Sequence, residues 1–187
     1  MKPQTESELS ACRAIAKAII KKSDDNGWRK LSRDKVSELV AKEVNLQAML
    51  TGIDSLWIKS SDITVTSVDD GIRGKDMLSI SGGIITVNAQ GDGLKSTNET
   101  DAGEGNLVIS GGSVTIQSGD DGIKSEQKAW ITGGTINVAK SVEGIEAPVI
   151  IIDGGDITVY ASDDGLNASA SAITTTGLSI TINNGTL

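Results

Sequence analysis

Five acidic residues, Asp70, Asp92, Asp121, Glu143 and Asp164, each stand directly before a glycine, at steps of 22, 29, 22 and 21 residues. Asp69, Asp120 and Asp163 precede three of them. If these segments stack as β-strands, equivalent residues lie about 4.8 Å apart and the acids form a column. Two carboxylates at that distance repel by about 3.5 kcal/mol at an effective dielectric of 20, and by less than about 1 kcal/mol when fully hydrated. Something must offset this. A calcium ion is one candidate, because it takes several hard oxygen ligands with tolerant geometry. Internal neutralisation is the other: Arg73, Lys95 and Lys124 follow three of the acids by three residues, and Asp-Gly is a common turn pair in its own right. The last two copies carry Glu146 and Asn167 at that position, which removes the basic help and favours a cation. With no His and only Cys12, the donor set argues against zinc.

The same inventory argues against catalysis. Without histidine, Ser-His-Asp and Cys-His arrangements are ruled out. Paired carboxylates suit glycoside hydrolysis, but here they recur in every copy, and a repeated feature reads as structural. A calcium-assisted lyase would need a basic group beside the metal, and Arg73 is the only arginine in the repeat region. Aromatics offer a binding chemistry instead. Trp57 and Trp130 fall at equivalent outward positions with Ser79, Val108 and Ile151, where a flat ring could stack on a sugar. A covering loop or terminal segment would be the structural alternative. Tyr160 falls in a different outward column, with Thr66, Asn88, Gln117 and Ala139.

These residues are positioned by an internal repeat. Its phrase is an apolar-x-apolar pair, two small residues, an apolar-polar-apolar strand, and an acidic-Gly turn. It reads Ile80-Ser81-Gly82-Gly83 with Ile85-Thr86-Val87, then Ile109-Ser110-Gly111-Gly112 with Val114-Thr115-Ile116. It continues with Ile131-Thr132-Gly133-Gly134 and Ile152-Asp153-Gly154-Gly155. An earlier copy places Ser60-Ser61 where the Gly pair stands. The step of 29 holds one copy plus a polar insertion, about residues 97–104, which belongs on a loop. Period-2 alternation directs Ile63, Ile85, Val114, Ile136 and Ile157 inward as one ladder, and Val65, Val87, Ile116, Val138 and Val159 as a second. Leu56/Ile58, Leu78/Ile80, Leu107/Ile109, Ala129/Ile131 and Ile150/Ile152 form another inward strand, and Ile72, Leu94, Ile123, Ile145 and Leu166 a third. Three inward strands per copy predict a mainly β chain: a right-handed parallel β-helix of about five coils of 21–22 residues over residues 52–187.

Composition agrees. The chain has 22 Gly, three Trp, one Tyr and no Phe. A stacked solenoid fills its interior with aliphatics and needs few aromatics. Residues 1–51 carry ten Lys and Arg against seven Asp and Glu, a charge of +3. The remainder carries seven against eighteen, a charge of −11. Phosphate repels so acidic a surface, so nucleic acid is a poor partner. No secretory leader or transmembrane run is recognisable.

Solenoid ends expose strand edges that need cover. Thr5-x-x-Glu8 is a capping box, followed by Leu9, Cys12, Ala16, Ile19 and Ile20 at helical spacing. A second helix is expected from about Ser32, with Val36, Leu39, Val40 and Val44 on one face. Residues 1–51 are thus expected to form an α-helical cap. At the other end, residues 180–187 begin a sixth coil and leave it incomplete, which suggests self-association through an uncapped coil.

At Asp70-Gly71-Ile72-Arg73, Gly91-Asp92-Gly93-Leu94-Lys95-Ser96, Ile109-Ser110-Gly111-Gly112 and Gly119-Asp120-Asp121-Gly122-Ile123-Lys124-Ser125, the chain resembles secreted bacterial carbohydrate-binding domains with a polysaccharide-lyase-like β-helix. The resemblance covers about residues 53–170. It implies bound calcium, binding of cellulose-like or acidic polysaccharide without catalysis, and a secreted or cell-surface location. The family's Asp-Gly calcium motif carries over to Asp70, Asp92, Asp121 and Asp164, while Val142-Glu143-Gly144 departs from it. Residues 1–50 do not match, which suggests a cap grafted onto the β-helix. The alternatives are a ligand-free scaffold or assembly module, and a calcium-dependent polysaccharide lyase.

Overall fold

The computed structural model describes residues 28–31, 37–39, 43–46, 49–52 and 54–187. The first strands are β1 (Trp28–Leu31), β2 (Ser37–Leu39), β3 (Glu43–Leu46) and β4 (Met49–Gly52), followed by β5 (Ser55–Ile58) and β6 (Ser61–Ser67). Short and long strands then alternate: β7 (Ile72–Gly74), β8 (Met77–Ala89), β9 (Leu94–Ser96) and β10 (Asn106–Gln117). They continue as β11 (Ile123–Ser125), β12 (Lys128–Ser141), β13 (Ile145–Glu146), β14 (Val149–Ala161) and β15 (Leu166–Asn167), ending with β16 (Ser179–Ile182).

Every strand pairing is parallel. A seven-stranded sheet runs β1-β4-β7-β9-β11-β13-β15, and a nine-stranded sheet runs β16-β14-β12-β10-β8-β5-β2, with β6 bridging β3 and β8. Each strand pairs with its counterpart one coil away, which makes a parallel β-solenoid of about five turns. Each long strand bends once, so a coil has three limbs. The first is the short strand, the second carries residues such as Leu78 and Ile80, and the third carries Ile85 and Val87.

The bend lies at the paired glycines. Gly83, Gly112, Gly134 and Gly155 take φ of +97°, +94°, +98° and +101°, a region that a Cβ makes costly. Ser61 pairs with Gly83, yet no non-glycine among the described residues has positive φ. The first copy therefore breaks into β5 and β6, where later copies run as one continuous strand. The inward ladders pack into a single aliphatic core. Leu56, Leu78, Leu107, Ala129, Ile72, Leu94, Ile123 and Ile145 are fully buried, and each large aliphatic among them contributes about 1.5–3 kcal/mol.

The expected helical cap is not what the described residues of this region form. Where a second helix was expected from about Ser32, Ser37–Leu39 pairs with β5 and Glu43–Leu46 pairs with β6. Val44 and Leu46 lie in register with Ile63 and Val65, and Leu46 is buried in the core, so this stretch is a strand of the solenoid rather than a helix. The expected first helix, Thr5–Ile20, lies outside the described residues.

Candidate functional site

The acidic column forms where the third limb returns to the first. Asp92, Asp121, Glu143 and Asp164 offer backbone carbonyls to the amides of Gly71, Gly93, Gly122 and Gly144, each at 2.8 Å. This locks the coils in register. The glycines are required by close approach. A Cβ on Gly93 would collide with Ile116 and come within 2.5 Å of the Gly122 carbonyl, and one on Gly122 would meet the Gly144 carbonyl at 2.6 Å. Gly165 has open space.

The side chains continue the ladder. Asp70, Asp92 and Asp121 are almost fully buried. The Asp92 amide donates to Asp70 Oδ1 (3.1 Å), and the Asp121 amide to Asp92 Oδ1 (3.0 Å). The second oxygens face cations. Lys95 Nζ lies 2.5 Å from Asp92 Oδ2 and 3.9 Å from Asp70 Oδ2, and Arg73 lies 3.7 Å from Asp70 Oδ2. Lys124 Nζ lies 2.7 Å from Asp121 Oδ2 and 3.2 Å from Glu146 Oε1. Farther along, Asn167 Nδ2 donates to Glu143 Oε1 at 2.6 Å, and the Ser169 hydroxyl donates to Glu146 Oε1 at 2.8 Å. Burial pushes the Asp121 carboxyl up to about 6, despite Lys124. It raises Asp70 as well, against the pull of Lys95. Burial opposes the charge of Lys124, but its hydrogen bond to Asp121 and the nearby carboxylates outweigh this and raise its pKa.

Not all the predicted acids converge. Asp92, Asp120 and Asp121 bring carboxylate oxygens within 4.8 Å of one another, and so do Asp121, Glu143 and Glu146. Asp69, Asp70, Asp163 and Asp164 join no such group among the described residues, and Asp69, Asp163 and Asp164 are exposed. By donor type both triads suit a hard cation. However, Lys95 and Lys124 already rest on oxygens of Asp92 and Asp121, so an ion there competes with a lysine. Glu146 is a donor that the sequence pattern had placed in the basic column.

The aromatic face lies on the second limb. Trp57, Ser79, Val108, Trp130 and Ile151 are in register in successive coils, with Thr181 next. Trp57 is half-buried and Trp130 is 39% exposed. Three coil steps put about 14 Å between them, so the two rings are separate platforms. Trp130 Nε1 donates to Asp153 Oδ2 at 2.7 Å, and Asn183 Nδ2 donates to Asp153 Oδ1 at 2.7 Å. The Lys128 ammonium sits 6.0 Å from the Trp130 ring centroid, the outer limit of a cation–π contact. Tyr160 is 69% exposed but belongs to the third limb. Its column also differs from expectation, because a bulge sets Lys140, not Ala139, opposite Gln117.

Sequence reasoning had not singled out Asp153, Asn183 or Lys128. The available signal was a break in the repeat: the corner position after the second apolar residue is Lys59 in the first copy, Ser81, Ser110 or Thr132 in the next three, and Asp153 and Asn183 in the last two.

A family model described as carbohydrate-binding domain-containing protein matches residues 43–187. The chain belongs to this carbohydrate-binding domain family. No curated protein matches it, and neither does any solved structure. Membership supports carbohydrate binding and a binding module rather than an enzyme. For a carbohydrate-binding domain, the exposed Trp130 ring with its flanking carboxylate, amide and ammonium has the required chemistry: an apolar surface for sugar C–H groups and polar partners for hydroxyls.

Proposed function

We propose that this chain is a non-catalytic, secreted or cell-surface carbohydrate-binding module. In this reading it is a right-handed β-helix that holds polysaccharide on its second-limb face and carries calcium at its acidic edge. The observation that carries the glycan reading is the Trp130 indole, exposed between Val108 and Ile151 in its column and bonded to a charged carboxylate. Trp57, half-buried in the same column, would be a separate platform three coils away. Tyr160 would serve a second contact on the neighbouring limb. Lys128 suits a sugar that carries a carboxylate, as an acidic polysaccharide does. The overall charge of −11 in residues 52–187 opposes one, and a cellulose-like glycan would need no ion pair. Retention on insoluble cellulose and on pectate, each at low and high salt, separates them. Salt-independent retention on cellulose identifies a neutral ligand, salt-sensitive retention on pectate an acidic one, and retention on neither defeats the proposal.

The calcium reading rests on the two carboxylate triads and the raised pKa of Asp121, since a buried carboxylate gains from a cation at its free oxygens. Calorimetric titration with calcium, paired with melting in chelator, tests it. No heat and an unchanged melting temperature would remove the metal.

A ligand-free assembly role has one specific observation in its favour. In β16, Ile180 and Ile182 are 42% and 51% exposed, on a strand that among the described residues pairs with β14 alone. Sedimentation of Ile180→Lys against wild type tests it: a dimer that the variant abolishes supports assembly, and a monomer in both removes it.

A further inference from the structure

We infer that Asp153 and Asn183 are positioning residues which fix the Trp130 indole, so that the sugar platform is assembled from three successive coils. The inference rests on the reading of Trp130 as the glycan contact. It starts from a mismatch in the repeat. At the corner after the second apolar residue, Ser81 and Ser110 turn their hydroxyls back to the carbonyls of Ile58 and Ile80 at 3.5 Å. That interaction stays within the backbone of the preceding coil. Asp153 instead spends its carboxylate on a side chain, the Trp130 N–H, and Asn183 of the next coil bonds the carboxylate's other oxygen. Trp57 and Lys59 depart from the small-polar or aliphatic pattern in the first copy; in the last three copies the departures are Trp130, Asp153 and Asn183, and these meet one another.

The geometry gives each a task. An exposed tryptophan has two free torsions and samples several staggered states. A 2.7 Å bond from Nε1 to a carboxylate is charge-assisted, and it selects the orientations that keep the N–H on Asp153. Asp153 is itself only partly buried, and its terminal torsion is broad. The Asn183 amide restricts that torsion by holding the second oxygen. The two donors, Asn183 first and Trp130 second, also keep the Asp153 carboxyl below its ordinary range, so the latch stays charged in mild acid. A ring ordered before the ligand arrives avoids the ordering cost on binding. For one side chain that cost corresponds to about a three- to tenfold change in affinity.

The test separates the relay from the binding reading because its first readout needs no ligand. Hydrogen exchange of the Trp130 indole N–H is followed by NMR in the free protein, with the resonance assigned by its loss in Trp130→Phe. Asp153→Ala and Asn183→Ala are compared with wild type, and Asp153→Asn, which keeps a carbonyl acceptor, is the conservative rescue. The expected result is faster indole exchange in Asp153→Ala, a smaller increase in Asn183→Ala, and partial recovery in Asp153→Asn. Glycan affinity should fall about three- to tenfold in the two alanine variants, with melting unchanged. Indole exchange that neither alanine variant alters would overturn the relay. Altered exchange with unchanged affinity would overturn its role in binding. If wild type retains no glycan while exchange responds as expected, the relay stands and the carbohydrate reading falls.

Discussion

Along the acidic edge, Asp92 gives one carboxylate oxygen to the Asp121 amide and the other to Lys95. On the aromatic face, Trp130 gives its N–H to Asp153 and leaves part of its ring open to solvent. Both regions come from one repeat, stacked by the same parallel pairing. At the edge, stacking brings like charges together, and the chain answers with amides, lysines and buried hydrogen bonds. On the face, stacking brings unlike residues together, and the result is an unfilled surface. Perturbing the edge should therefore cost stability, and perturbing the face should cost binding.

The largest effect is expected from backbone contact at the edge. Gly93→Ala should destabilise by more than about 3 kcal/mol or prevent folding, because its Cβ meets both Ile116 and the Gly122 carbonyl. Gly165→Ala occupies the same repeat position in open space and should stay within about 0.5 kcal/mol of wild type. Denaturant melts compare the pair, and equal losses would break the stacking argument.

Next comes the charge ladder. Asp92→Ala removes the acceptor of the Asp121 amide and leaves Lys95 to the more distant Asp70 carboxylate, so it should cost about 3 kcal/mol. Asp92→Asn keeps the acceptor and should cost less. A loss below about 1 kcal/mol for Asp92→Ala would mean that the lysines do not carry the edge.

A smaller effect concerns pH. Burial raises Asp121 to about 6 from 3.8, and it raises Asp70 and Glu126 as well. A carboxyl raised on folding holds its proton more tightly in the folded chain. The stability it confers is present below the unfolded value and is lost as pH rises through the folded one. In chelator, stability should thus be highest near pH 4 and fall by about 1–2 kcal/mol toward pH 7. Glu126 is buried, and among the described residues its carboxylate has no hydrogen-bond partner. Glu126→Gln should accordingly stabilise at pH 7 and converge with wild type in acid. A wild-type curve that rises from pH 4 to 7 would contradict the assignment. The smallest effect is expected at Tyr160, exposed on the third limb. Tyr160→Ala should change glycan retention less than about twofold, and a larger loss would move the principal contact to that limb.

The fold was legible where the sequence repeats itself. Ile63, Ile85, Val114, Ile136 and Ile157 align in sequence as they do in the sheet, because period-2 alternation and a near-constant step leave one way to stack them. Residues 37–39 and 43–46 form strands where a second helix was expected, because Val36, Leu39, Val40 and Val44 also satisfy helical spacing, and short segments cannot distinguish the two periods. Pairing with β5 and β6 decides for strand. The acidic column was legible as a column, but its partners were not. Period and spacing show that Lys95 and Lys124 lie near the acids, whereas only coordinates show the amides of Asp92 and Asp121 capping the preceding carboxylates. Likewise Trp130 was visible as an outward aromatic, while its tie to Asp153 and Asn183 depends on side-chain reach between coils.

The central claim is that the second-limb face, not the acidic edge, meets the carbohydrate. Isothermal titration of wild type and Trp130→Ala with soluble fragments of whichever polysaccharide retains the wild type tests it directly, with melts run in parallel. The account predicts at least a tenfold weaker affinity for Trp130→Ala, about 1.4 kcal/mol, at an unchanged melting temperature. Equal affinities in the two proteins would contradict it.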